Sequence, residues 1–470
     1  MQTSSSNNHA PARFLVAAVT AILLAGCSAG VTGGPFPLSG RSSATAMSQA
    51  LVQRSGSMRD AKIQHVVIIV QENRSFDDLF HGFPGADTQS YGYTSTGSKV
   101  ALEPVSLDTK WDIDHSSTSF FAACDGHGSL PGTGCKMDGF DKESTTCGGG
   151  RGYPRCPNRH PQYGYVPASE SKPYFAMAQR YVLADRMFTS NFDAASFVSH
   201  QYAIAGQASS SVDSPSGPWG CDGGPADLIR TVTQQRAYGP SIQACYDNTT
   251  LGDELDAARR SWRYYATDLG GDGGIWSAYQ AIKHIRYGLD WKADVVSPQT
   301  RFFADVRNRR LPAVSWVTPT CENSDHAGCG SNHGPQWVAS LVNAIGTSAY
   351  WKSTVVFVFW DDYGGWYDHV APPLEDYDGL GLRVPLLILS AYAKQGYVSH
   401  VQYEHGSILR FVEDRFGLPR LGASDSRANS PEKDCFDFTQ PPRAFVAIPT
   451  SLKESNFENE PVDRRVPDGE

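Results

Sequence analysis

What most constrains this chain is a set of short, nearly uninterrupted apolar runs that end abruptly in charge. In HVVIIVQENRSFDDLF, residues 65–80, Val66 to Val70 give way at once to Glu72, Asn73, Arg74 and Ser75. Runs of similar length recur at Tyr181 to Ala184, Trp262 to Ala266, Ala313 to Val317, Val355 to Trp360 and Pro385 to Leu389. Strands with one wet face alternate polar and apolar residues. These do not, so they predict strands covered on both faces, as in a mostly parallel sheet. Helical spacing lies between several of them, with Trp337, Val338, Leu341, Val342 and Ile345 in one segment and Ile408, Leu409, Phe411 and Val412 in another. Alternating strands and helices predict an α/β fold, whose ligands bind beyond the carboxyl ends of the strands.

Three runs end in residues able to carry chemistry. The first delivers Glu72 and Asn73, the fourth leads into Cys321 to His326, and the fifth ends at Asp361 and Asp362. Two adjacent carboxylates at the tip of a buried strand repel each other and lose hydration, which a cation would relieve. Gly364 and Gly365 allow a sharp turn beside them. A further segment, RMFTSNFDAASFVSHQYAIAGQ at 186–207, places Ser196 after two alanines at the start of a helix, where backbone amides favour an anion. Of the 13 histidines, His115, His284, His326, His369, His400 and His405 stand in polar or Gly- and Asp-rich segments and offer proton donors if the fold gathers them.

The chain of 470 residues is 40% hydrophobic, enough for a sizeable core, and its net charge of -9 without any basic run argues against nucleic-acid binding. Residues 1–26 read as a signal peptide, with an apolar segment from Phe14 to Leu24 too short to span a bilayer. Leu24-Ala25-Gly26-Cys27 resembles a bacterial lipoprotein processing box, which would put a lipid on Cys27 and bring the protein to a membrane; plain secretion is the alternative. Residues 27–60 read as a flexible tether, 61–450 as one catalytic domain, and 451–470 as a solvated, disordered tail. In an oxidising compartment, neighbour pairing would join Cys124 to Cys135, Cys147 to Cys156, Cys221 to Cys245 and Cys321 to Cys329, leaving Cys435 over. Residues 85–175 and 207–255, rich in Gly, Pro, Ser and Cys, are expected to form stapled insertions that wall the site. A GxSxG pattern occurs only at Gly26 to Gly30, and HExxH and GxxxxGK[ST] are absent, so esterase-elbow, zinc-protease and P-loop chemistry are unsupported.

Taken together, HVVIIVQENRSFDDLF, KMDGF at 136–140, the Ser196 segment, AIKHIRYG at 281–288, SDH at 324–326, PQWVASLVNAI at 335–345, WDDYGGWYDHVAPP and SHVQYEHGSILRFVEDRFGL at 399–418 resemble the bacterial phosphoesterase family. That family holds secreted phospholipases C and a related acid phosphatase. The resemblance implies an alkaline phosphatase-like three-layer sandwich with a central mostly parallel sheet. It also implies one divalent metal ion held by Glu72, Asn73, Ser196, Asp361 and Asp362, with Ser196 doubling as nucleophile. His115, His284 and His326 would hold phosphoryl oxygens or protonate the leaving group. At the nucleophile the family shows GPT or GPS followed by PNR, whereas here Ala194-Ala195-Ser196 precedes Val198-Ser199-His200, so Ser190 and Ser199 are alternative hydroxyls. An oxygen-rich ligand set leaves the metal open among Ca²⁺, Mg²⁺, Mn²⁺, Zn²⁺ and Fe. The expected substrate is a phosphate ester or phospholipid, and about fifty residues after the last motif lean slightly toward a phosphatase or a compact phospholipase. The competing expectation is a non-catalytic, surface-anchored binding protein with a decayed site.

Overall fold

Each apolar run contributes a strand to one central sheet in the computed structural model, which describes residues 62–148, 154–217, 220–268 and 276–464. In chain order the strands are β1 (His65–Gln71), β2 (Val182–Phe188), β3 (Trp262–Tyr265), β4 (Val295–Val296), β5 (Val314–Val317), β6 (Thr354–Trp360), β7 (Arg383–Ser390), β8 (Tyr397–Ser399) and β9 (Tyr403–Glu404). Across the sheet the order is β4-β3-β5-β1-β6-β7-β2-β8, with β9 also pairing β2. All pairings are parallel except those of β7, which runs antiparallel to both neighbours. The chain leaves β6 and returns into β7 at the same edge after residues 361–382, so it makes no crossover and must reverse direction.

Four helices matter for the site: α1 (Lys172–Arg180), α2 (Ser196–Ala205), α3 (Gly334–Gly346) and α4 (His405–Phe416). Neighbouring residues on a strand point to opposite faces. On β6, Trp360 meets Tyr174 of α1, while Phe357 meets Phe411 and Phe359 meets His405, both of α4. Helices α1 and α3 therefore cover one face and α2 and α4 the other, giving three layers. The apolar runs need both covers: every residue of β6 and β7 is buried. Glycine ends α2 and α4, at Gly206 (φ 67°) and Gly417 (φ 66°), because the left-handed turn that closes a helix strains any side chain.

The four proposed disulfides form as neighbour pairs, and Cys435 is a buried free thiol. Within the segment read as a solvated tail, Glu454–Glu458 is instead helical and Phe457 is buried, an apolar anchor that the surrounding acidic residues obscured. Beyond it Glu460 accepts a hydrogen bond from Asn323 at 2.6 Å. The signal peptide, the tether and Cys27 lie outside the described residues. Among the described residues, no helix is long and apolar enough to cross a membrane.

Candidate active site

Parallel pairing of β1 with β6 sets Gln71 against Trp360, so Glu72 and Asp361 leave the sheet side by side. Two positive-φ residues then fold the tips together. Asn73 (φ 55°) turns its backbone N–H onto Asp361 Oδ1 at 3.2 Å, and Gly364 (φ 61°) donates to Asp362 Oδ1 at 2.7 Å. Gly364 also permits close approach: a Cβ there would lie 2.3 Å from the Asn73 carbonyl oxygen. From the end of β2 the chain reaches α2, whose first residue, Ser196, points its hydroxyl at the same place. The Asn73 side-chain amide ties the group together. It lies 2.8 Å from His115 Nε2, 3.2 Å from Asp362 Oδ2 and 3.4 Å from Ser196 Oγ, and that hydroxyl is 3.5 Å from Asp362 Oδ2.

Glu72, Asn73, Ser196, Asp361, Asp362 and His115 are thus gathered at the carboxyl edge of the sheet, and all are fully buried. His115 Nδ1 sits 2.6 Å from the Ile113 carbonyl, which fixes its proton there and leaves Nε2 to accept from Asn73. His326 joins at a distance, its ring centroid 6.1 Å from that of His115 and its Nδ1 hydrogen-bonded to the Ala327 carbonyl. His284 is not brought here: it is more than a third exposed and bridges Asp247 and Asp253 at 2.7 and 2.9 Å on the insertion. The other two hydroxyls face other groups. Ser190 Oγ accepts from Gly406 N at 3.3 Å, and Ser199 Oγ accepts from Asn191 Nδ2 at 3.2 Å.

The donor set fits a divalent cation. Asp361 Oδ2 and Asn73 Oδ1 are buried with no hydrogen-bond partner among the described residues, a costly state unless a cation meets them. Burial, reinforced by the Glu72 carboxylate beside it, pushes the Asp361 carboxyl up to about 8. An unforeseen residue also enters: His200 Nε2 stands 2.9 Å from Glu72 Oε1 and 3.8 Å from Asp361 Oδ2. Its spacing from Ser196, four positions along one helix, was the available signal, since such residues share a face. Tyr363 and Glu143 were also missed. The Tyr363 ring lies edge-on to His115, and its hydroxyl donates at 2.7 Å to Glu143, whose carboxyl burial holds well above its usual range.

A second group, Asp77, Asp368 and His369, has ligand atoms close enough to hold an ion. Its charge is already answered by the buried Arg383, which donates to Asp368 at 3.0 Å and Asp77 at 3.3 Å. Arg74 likewise braces the turn, donating to the Asp325 carbonyl at 2.7 Å and pairing with Asp78 at 3.1 Å over the Trp366 ring. Beside the site lies a cavity of about 720 Å³, lined by Asp112, Asp114, Ser116, Asp213, His326 and neighbours.

The model of the "Phosphoesterase family" matches residues 63–419. A non-hemolytic phospholipase C of Pseudomonas aeruginosa is 28% identical, over 78% of this chain and 55% of its own length. Phospholipase C B of Mycobacterium tuberculosis is 26% identical, over 81% of this chain and 78% of its own. The chain thus spans little more than half of the Pseudomonas relative. Among solved structures, a protein in the alkaline phosphatase superfamily from Vibrio parahaemolyticus aligns with a TM-score of 0.34 at 11% identity, covering 79% of this chain and 72% of that one.

Proposed function

The chain belongs to the phosphoesterase family, and from that premise we propose that it is a metal-dependent phosphoesterase that attacks phosphate esters through Ser196. The observation that carries this reading is the hydroxyl of Ser196 held between Asn73 and Asp362, beside the unpartnered oxygens of Asn73 and Asp361. Glu72, Asn73, Ser196, Asp361 and Asp362 would hold one divalent ion. When bound, such an ion lowers the pKa of a serine hydroxyl and offsets charge developing on phosphorus. Ser196 supplies the oxygen that forms the phosphoseryl intermediate, and the N-terminal amides of α2 face the phosphoryl group. His115, with Nε2 as its accepting nitrogen, is positioned to take and return a proton, and His326 lines the cavity where a leaving group sits.

A phospholipase C-type diester is the favoured substrate over a phosphomonoester. Three carboxylates line the cavity, at Asp112, Asp114 and Asp213, and they oppose a dianionic monoester while suiting a head group that carries an ammonium. The relatives' names point the same way. A decayed, non-catalytic binding protein is less favoured, because buried carboxylates that no longer held a cation would cost stability for nothing. We further propose export to an oxidising compartment, consistent with four disulfides, with a lipid on Cys27 as the membrane tether. Turnover of p-nitrophenylphosphorylcholine, bis-p-nitrophenyl phosphate and p-nitrophenyl phosphate, with and without chelator, tests the reading. The expected result is chelator-sensitive hydrolysis, fastest on the first and lost in Ser196→Ala. Chelator-insensitive turnover, or an active Ser196→Ala, would sink it.

A further inference from the structure

We infer that His200 is a nitrogen ligand of the cation, so that the ion sits among Glu72, His200 and Asp361 and the site selects a transition metal such as Zn²⁺ over Ca²⁺ or Mg²⁺. The inference rests on the metal-dependent reading above and adds what the motif-derived set of Glu72, Asn73, Ser196, Asp361 and Asp362 lacks. Three observations carry it.

The first is geometric. One ligand atom each from Glu72, His200 and Asp361 lies within 4.8 Å of the other two, and all three residues are buried. With His200 added the set holds six ligands, and around a six-coordinate ion with bonds of about 2.1 Å adjacent ligand atoms stand about 3.0 Å apart. The His200 separations of 2.9 Å to Glu72 and 3.8 Å to Asp361 bracket that value. The second is the orphaned oxygen. Asp361 Oδ2, the atom His200 faces at 3.8 Å, is buried without a hydrogen-bond partner among the described residues, although the Asp361 Oδ1 beside it has one. That separation is too long for a hydrogen bond and leaves room for an ion between the two atoms.

The third is the ring's far side. His200 Nδ1 lies 3.4 Å from the Tyr264 hydroxyl, and that hydroxyl spends its own proton on the Trp276 carbonyl at 2.6 Å. Tyr264 can therefore only accept from the imidazole. With Nδ1 protonated toward Tyr264, Nε2, which here hydrogen-bonds Glu72 Oε1 at 2.9 Å, gives up that proton when a cation takes its lone pair. The Nδ1 hydrogen bond is the usual second interaction of a metal-bound histidine. A nitrogen donor shifts preference along the series toward Zn²⁺, Fe²⁺ and Co²⁺, whereas Ca²⁺ and Mg²⁺ take oxygen.

The test uses full-length protein stripped with chelator and reloaded with Mn²⁺, Co²⁺, Zn²⁺ or Ca²⁺. Pulsed electron paramagnetic resonance of the Mn²⁺ form should show coupling to a ¹⁴N nucleus that His200→Gln removes. The same substitution should weaken Zn²⁺ binding, measured by competition titration, by more than about 100-fold, beyond the usual loss for an outer-shell change. Ca²⁺ binding should change far less. The inference is overturned if wild-type protein shows no ¹⁴N coupling, or if the coupling and the metal preference survive in His200→Gln even as turnover falls, since His200 would then only position Glu72. The wild-type spectrum decides the matter even should the variant misfold. Chelator-insensitive turnover strikes the functional reading instead and leaves the spectroscopic result to stand or fall alone.

Discussion

Burial lifts the Asp361 carboxyl to about 8 because ionising it would place a second charge beside Glu72 with no water to screen either. In the unfolded chain this group releases its proton near 3.8, and in the fold it keeps it until about 8. The metal-free fold therefore loses stability as pH climbs through that window. Asp361→Asn should remove this penalty, raising the melting temperature of chelated protein by at least about 2 °C at pH 8 and leaving it unchanged near pH 3. The same substitution should weaken metal binding more than about 100-fold and abolish turnover, so thermal melts and metal titrations should move in opposite directions. Gly364 gives the complementary case. An alanine there sets a Cβ against the Asn73 carbonyl at a left-handed φ, so Gly364→Ala should cost about 1–3 kcal/mol in denaturant unfolding and displace Asn73 enough to lower kcat. At this scale the aspartate pair was legible because two carboxylates at a buried strand tip are costly without a cation, whereas Glu72 and Asn73 entered as ligands through the family resemblance. His200 was less legible: its spacing from Ser196 puts both on one helix face but does not say which neighbour the ring will meet.

Elements carry a second pH dependence, outside the residues of the site. The Leu251–Ala257 helix puts Glu254 close to Glu413 of α4, and burial followed by mutual repulsion pushes Glu254 up to about 7. Arg420 answers Glu413 at 2.6 Å, whereas Glu254 Oε2 has no hydrogen-bond partner among the described residues. Between pH 4.5 and 7 the folded chain holds a proton that the unfolded chain has lost, so stability declines with rising pH across that range. Glu254→Gln should raise the melting temperature by roughly 2 °C at pH 8 and have no effect at pH 4, read by calorimetry. Six of the nine strands were legible as apolar runs, because a run such as VVFVF can be buried only if both faces are covered. The short β4, β8 and β9 carry no such run, and β2 extends to Phe188, past the end of its run at Ala184. The direction of β7 was not legible: its apolar run reads the same whichever way it threads, and the loop of residues 361–382 decides it by returning at the same edge.

For the whole molecule, the staples matter most where they hold the site's rim. Cys321–Cys329 closes a loop that carries Asn323, Asp325 and His326 and is pinned to the tip of β1, with Gln71 donating to the Asn323 carbonyl at 3.0 Å and accepting from Asp325 N at 3.1 Å. Replacing both cysteines by serine should cost about 2.5 kcal/mol in urea unfolding, by chain entropy for a loop of this size. A larger proportional fall in kcat is expected, because His326 loses its fixed place. By itself the sequence determined six of the nine strands of the central sheet and the family, and it proposed the neighbour disulfides and most of the oxygen-bearing residues of the candidate site, since each is written locally as a run, a spacing or a motif. Only the tertiary structure decided that His284 stands apart, paired with Asp247 and Asp253, that Phe457 anchors the chain's far end, and that His200 faces Glu72 and Asp361. Those facts depend on which surfaces meet between segments distant along the chain, and no local pattern encodes the distance between two side chains that the fold alone brings together.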